Sequence, residues 1–171
     1  MYYQLISQCT QSLKNVETCL DKAEQHAAAK KFDVGVLMTS RLAPDMQHFI
    51  YQVQSACDYV KAAAAWLSGQ TPPKHEDNEQ TIDELRARIR KTVAFAESVK
   101  EAQYAGASER KVKLSWAPGL SLAGIQLVIA DHALGLPVLR TLSLCTCCRQ
   151  YLGAAAERIA LLTSPSRISL P

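Results

Sequence analysis

From Tyr2 to about Lys30 the residues Leu5, Cys9, Leu13, Val16, Cys19, Leu20 and Ala23 return at intervals of three and four, with Gln8, Gln11, Lys14, Glu17, Asp21 and Lys22 between them. That period belongs to a long α-helix with one wet face, and its apolar stripe has to be buried against other elements. The same period returns twice. Phe49, Val53, Ala56, Val60, Ala63, Ala64 and Leu67 mark a second helix over 44–68. Pro44 suits its first turn, Asp45 favours its N-terminus, and Gly69 supplies a stop. Ile82, Leu85, Ile89, Val93 and Ala96 mark a third over 79–99, where Thr81 and Glu84 stand at capping-box spacing. These stripes place Val53 and Ala56 inside, and Lys61 and Arg88 in water.

Between the second and third helices, Gln70 to Asn78 is polar, holds two prolines and has no apolar period, which predicts a crossing loop on the surface. Beyond Ala105-Gly106, Lys111 to Trp116 alternates as a half-buried strand does, before an Ala117-Pro-Gly119 turn and Leu120 to Ala123. A fourth helix over 122–135 then runs to the Gly135-Leu-Pro137 break. The fold class expected is all-α: an up-and-down four-helix bundle with a small β-hairpin before the last helix. It forms one domain over 1–163, followed by a disordered tail over 164–171. From Val138 to Leu152 the apolar positions spread around much of the helix, which predicts weaker packing there.

A chain of 171 residues buries a core without staples, about 70% of its unfolded surface. Its 19 basic and 16 acidic residues are interspersed and leave a formal charge of only +3, so no one-sided field points to a nucleic-acid partner. The first twenty residues lack the pattern of a secretory signal, which makes the cytoplasm the expected location. No membrane partner is expected, because the longest apolar stretch, Leu120 to Leu144, is broken by Asp131, His132, Pro137 and Arg140. Cys9, Cys19 and Cys57 stand alone on helical patterns, and the cluster Cys145, Cys147 and Cys148 lacks the second pair that a zinc knuckle needs. Reduced, mostly buried thiols are the reading.

Four motifs occur in order: Asp21-Lys-Ala-Glu-Gln-His-Ala27, Arg41-Leu-Ala-Pro-Asp-Met46, Tyr51-Gln-Val-Gln-Ser-Ala-Cys-Asp58 and Thr81-Ile-Asp-Glu-Leu-Arg-Ala-Arg-Ile-Arg-Lys-Thr92. Together they resemble an uncharacterised family of the DinB/YfiT-like superfamily, the nineteen-ninety-three family among domains of unknown function, over roughly residues 1–135. The resemblance implies a four-helix bundle with a small hairpin before its last helix. After Leu136-Pro137 the family pattern has an aromatic run and a histidine, whereas this chain reads Val138-Leu-Arg-Thr-Leu-Ser-Leu-Cys-Thr-Cys-Cys-Arg-Gln150. Divergence and a shifted reading frame both account for that departure.

The wider superfamily resembles metal-binding bundles in which three histidines from two helices hold a divalent ion. His26 and His75 read as solvent-exposed, which leaves His48 and His132. Asp45, His48 and Gln52 fall at i, i+3 and i+7 and so share one face of the second helix, with Asp131 or His132 able to come opposite them. These are the pocket candidates. The positions one turn from His132, where a second histidine would complete a metal pair, are Val128 and Leu136. No catalytic or cofactor-binding residue is assigned, since Gly-rich phosphate loops, Gly-x-Ser-x-Gly elbows and His-Glu-x-x-His helices are absent from the sequence.

Two functional readings follow. One is a non-catalytic or weakly ligand-binding helical bundle, with a homodimer through an exposed helix face open to it. The alternative, implied by the resemblance, is a metal-dependent enzyme of the thiol-transferase type using Asp45, His48 and His132.

Overall fold

In a computed structural model, residues 1–41, 44–113 and 121–123 are described. Helix α1 spans Tyr2–Lys30 and buries Ile6, Cys9, Leu13, Val16, Leu20, Ala23 and Ala27, which follow the expected stripe. It ends on Lys31, whose φ of 57° is left-handed, with the Lys31 and Phe32 amides donating back to the carbonyls of Ala28 and Ala27. The His26 ring meets Phe32 edge-on and is half-buried, not exposed. A short helix α2, Gly35–Thr39, fills the connection and turns Met38 into the core.

Helix α3 is Phe49–Ser68 and does not begin at Pro44. Residues 44–46 form a turn, and His48, extended at φ −65° and ψ 163°, is the N-cap: its Nδ1 accepts from the Tyr51 amide at 3.2 Å. The Phe49 amide donates to the Ser40 carbonyl. A fixed proline φ suits a turn as well as a helical first turn, so Pro44 alone did not locate the start. At the other end Gly69 adopts φ 77°, and Arg110 donates to the Leu67 carbonyl and lies 3.2 Å from where a Cβ on Gly69 would be.

Helix α4 is Ile82–Ser98. Its capping box forms as expected, with the Glu84 amide donating to Thr81 Oγ1 at 3.3 Å and the Thr81 amide donating to Glu84 Oε2 at 2.9 Å. A 3-10 turn at Glu101–Tyr104 follows. Strand β1, Lys111–Lys113, then pairs antiparallel with β2, Ser121–Ala123, in the register Lys111 opposite Ala123. Leu122 and Ala123 are therefore extended, not the start of a helix. The remainder of the fourth helix expected over 122–135, the weakly packed segment after Pro137 and the tail over 164–171 lie outside the described residues.

The directions of the helices correct the up-and-down expectation. Between α1 and α4 the ion pairs run in opposite order, Lys14 to Glu97, Glu17 to Arg90 and Asp21 to Arg86, so these two are antiparallel. Between α3 and the later chain the polar contacts run in the same order: Gln54 donates to Glu79, Asp58 pairs with Arg88, and the Leu67 carbonyl accepts from Arg110. Helices α3 and α4 are parallel. An up-and-down neighbour needs only a short turn, whereas Gly69–Thr81 runs back along α3, whose 20 residues make about 30 Å of helix. Extended chain at about 3.3 Å per residue covers that distance. Helix α4 packs on both α1 and α3, and its Leu85, Ile89 and Val93 join Leu13, Leu20, Val53 and Val60 in one core.

Candidate functional site

Arg88 is the centre of the polar interior. It lies three residues after Leu85 on the inner edge of α4, and its side chain is only 2% exposed. Its guanidinium donates to Asp58 of α3 at 2.8 Å, to Asp77 at 2.8 Å and Glu79 at 2.9 Å of the crossing segment, and to the Glu76 carbonyl at 3.0 Å. Lys61, also buried, reaches Asp58 at 2.8 Å, and Gln54 donates to Glu79 at 2.8 Å. The crossing segment is thus strapped onto α3 and α4 by one buried cation. Burial works against the charge of Arg88, but the Glu79 hydrogen bond and the Asp58 carboxylate more than offset it and hold its pKa above the ordinary arginine value.

Both cations were expected in water; Lys61 is 7% and Arg88 4% exposed, while Val53 and Ala56 are inside at 1% each. A signal was present. Arg88 and Thr92 follow Leu85 at i+3 and i+7, and Lys61 lies four after Cys57 and three before Ala64, so all three flank the apolar stripes. The acids of the crossing segment, read only as loop polarity, are what makes burial of Arg88 tolerable.

Beside this network an open cleft of about 490 Å³ lies between the crossing segment and α4, lined by Lys74, His75, Glu79, Arg88 and Lys91 among others. His75 is half-buried, and both its ring nitrogens are shielded and have no hydrogen-bond partner. Burial pushes its pKa below the ordinary 6.5, helped by Lys61, Arg88 and Lys91 and opposed by Asp58. Burial also tends to raise the pKa of Glu79, but the hydrogen bonds from Gln54 and Arg88 win and hold it below the ordinary 4.5. Cys57, behind the network, is pushed up to about 12 by burial against the pull of Thr92 and Arg88, so it is an inert thiol.

These shifts set the acid response. An unfolded His75 takes up a proton below about pH 6.5 that the folded site resists, so stability falls as pH drops below that value. The Glu79 contribution is fully present above pH 4.5 and is lost as pH falls through the depressed folded pKa. We expect urea midpoints to decline in two stages on acidification, with His75→Asn removing the upper stage and Glu79→Gln the lower. A midpoint that is flat from pH 7 to 4 would contradict this.

The candidates Asp45, His48 and Gln52 are not brought together as one helix face. Asp45 is exposed in the turn before α3, and His48 spends Nδ1 on its own helix start. Gln52 Nε2 donates to the Gln47 carbonyl at 3.3 Å. Neither His132 nor Asp131 is among the described residues. A divalent ion needs several convergent donors about 2 Å away, and among the described residues no group of three His, Cys, Asp or Glu is so placed. Among the described residues, Cys9 and Cys57 are buried and Cys19 is half-buried, none of them in a disulfide. No described helix is long and apolar enough to cross a membrane.

An all-α chain in which α4 packs on both α1 and α3 defines a DinB-like helical protein. The chain is similar to the crystal structure of a DinB family member protein from Shewanella denitrificans, at 34% identity and a TM-score of 0.80 over 99% of this chain and 95% of that one. The chain belongs to the family described as domain of unknown function DUF1993, whose model matches residues 1–133. No curated protein matches it significantly.

Proposed function

We propose that this chain is a weakly ligand-binding, non-catalytic helical bundle whose ligand site is the cleft between the crossing segment and α4. The observation that carries this reading is the contrast between the cleft and the network behind it. Asp58, Lys61 and Glu79 are committed within the network, and Arg88 is bonded through both terminal nitrogens, whereas the two His75 ring nitrogens at the cleft, like Arg88 Nε, have no partner. A buried polar group without a partner costs free energy that a ligand or water can recover. On this reading β1 and β2 close a small hairpin that leads into the last helix of the bundle, the site lies away from the N-terminus of α3, and the protein works in the cytoplasm.

Metal analysis of protein purified without an affinity tag separates this reading from a metal-dependent enzyme. The expected result is no stoichiometric divalent ion, and none whose content changes in His48→Ala. A stoichiometric ion lost in that variant would replace the binding reading with the enzymatic one.

A further inference from the structure

We propose that the cleft beside His75 takes a small molecule through an oxyanion, a phosphate or a carboxylate, held by Lys74 and Lys91 with the His75 imidazole. This deepens the cleft-binding reading and rests on it.

Three glutamates line it, and two are committed. Glu79 takes hydrogen bonds from Gln54 and Arg88, and Glu84 accepts from the Gln80 amide at 2.7 Å and the Thr81 amide at 2.9 Å. Arg88 is committed through its two terminal nitrogens, to Asp58, Asp77 and Glu79, and its Nε has no partner. What is left over is cationic. Lys74 and Lys91 line the cleft, are exposed, and form no ion pair among the described residues; the Glu76 carboxylate is the single uncommitted acid. The Asn78 side chain adds an amide donor at the same wall.

An anion also resolves the position of His75. Its unpartnered nitrogens lie near Lys61, Arg88 and Lys91, which repel an imidazolium, with Asp58 as the opposing charge. An oxyanion between Lys91 and the ring removes that repulsion and gives the ring a hydrogen-bond acceptor, so binding and protonation of His75 support each other. A cationic ligand would add to the repulsion. The wall that carries His75 is held in place by the Arg88 bonds to Glu76, Asp77 and Glu79, so the cleft is formed before a ligand arrives, and a turn of the ring brings a shielded nitrogen to it.

The test is the NMR titration of the histidine rings in the full chain, with inorganic phosphate and with succinate at constant ionic strength held by chloride. His75 should shift saturably and its pKa should rise, while His26 and His48 stay still. The doubly substituted Lys74→Ala/Lys91→Ala chain, altered only at exposed positions, should bind at least about tenfold more weakly. Saturation by phosphate alone or by succinate alone identifies which oxyanion is preferred, and either supports the proposal. A His75 response no different from that to chloride, or an unchanged affinity in the double variant, would overturn it. If ethylenediamine saturates the His75 shift and neither anion does, the oxyanion is refuted and the cleft remains a binding site. If no probe acts on His75, both readings fall.

Discussion

Replacing Arg88 by alanine is expected to lower the free energy of unfolding by about 3 kcal/mol, read from urea denaturation at pH 7. The figure is at the lower end for a broken buried ion pair because its partners differ in exposure. Glu79 is only 11% exposed in its side chain and would be left as an uncompensated charge, whereas Asp58 and Asp77, at 40% and 60%, regain water. The loss is not simply the value of the contacts. Arg88→Met combined with Glu79→Gln removes both charges of that pair while keeping side-chain volume, and should be more stable than Arg88→Ala alone. If the double variant is the weaker of the two, the penalty does not come from the stranded acid. The same substitution should also free the crossing segment, so amides of residues 74–80 should exchange faster in Arg88→Ala than those at the centre of α1. Equal protection in both would mean that other contacts hold the segment.

Leu85→Ala is expected to cost about 3–4 kcal/mol, comparable with the loss at Arg88 but by another mechanism. Leu85 is fully buried on the helix that packs against both α1 and α3, so truncation leaves a cavity that neither neighbour can fill without moving. For a chain of this length that corresponds to a fall of roughly 10 °C in the thermal midpoint. Lys91→Ala, on the exposed side of the same helix, should stay within about 0.5 kcal/mol of the parent. A loss at Leu85 no larger than at Lys91 would mean that α4 is not the middle of the core.

The two substitutions differ in how visible their sites were beforehand. Leu85 stands at the centre of an apolar period that any helix reading finds. Arg88 lies on the edge of that same period, and whether an edge position is wet depends on what packs beside it. The acids that bury it sit on the crossing segment and on α3, at positions 58, 77 and 79. Charge alone argued for water, because an arginine without partners cannot be buried. His48 shows the converse. At helical spacing from Asp45 and Gln52 it looked like part of a face, but its imidazole caps the helix it was thought to sit within.

By itself the sequence determined the three long helices, their inner faces and the capping box at Thr81, because a period of 3.6 residues and a side chain that bonds its own backbone are local properties. It also held the family resemblance, in motifs that the match over residues 1–133 covers. Only the tertiary structure decided the direction of α4, the burial of Lys61 and Arg88 and the existence of the cleft at His75. Those depend on where the Gly69–Thr81 crossing lies against α3 and α4. Its path is set by a few charge pairs between residues distant in the chain, and pairings of that kind leave no period in the sequence to read.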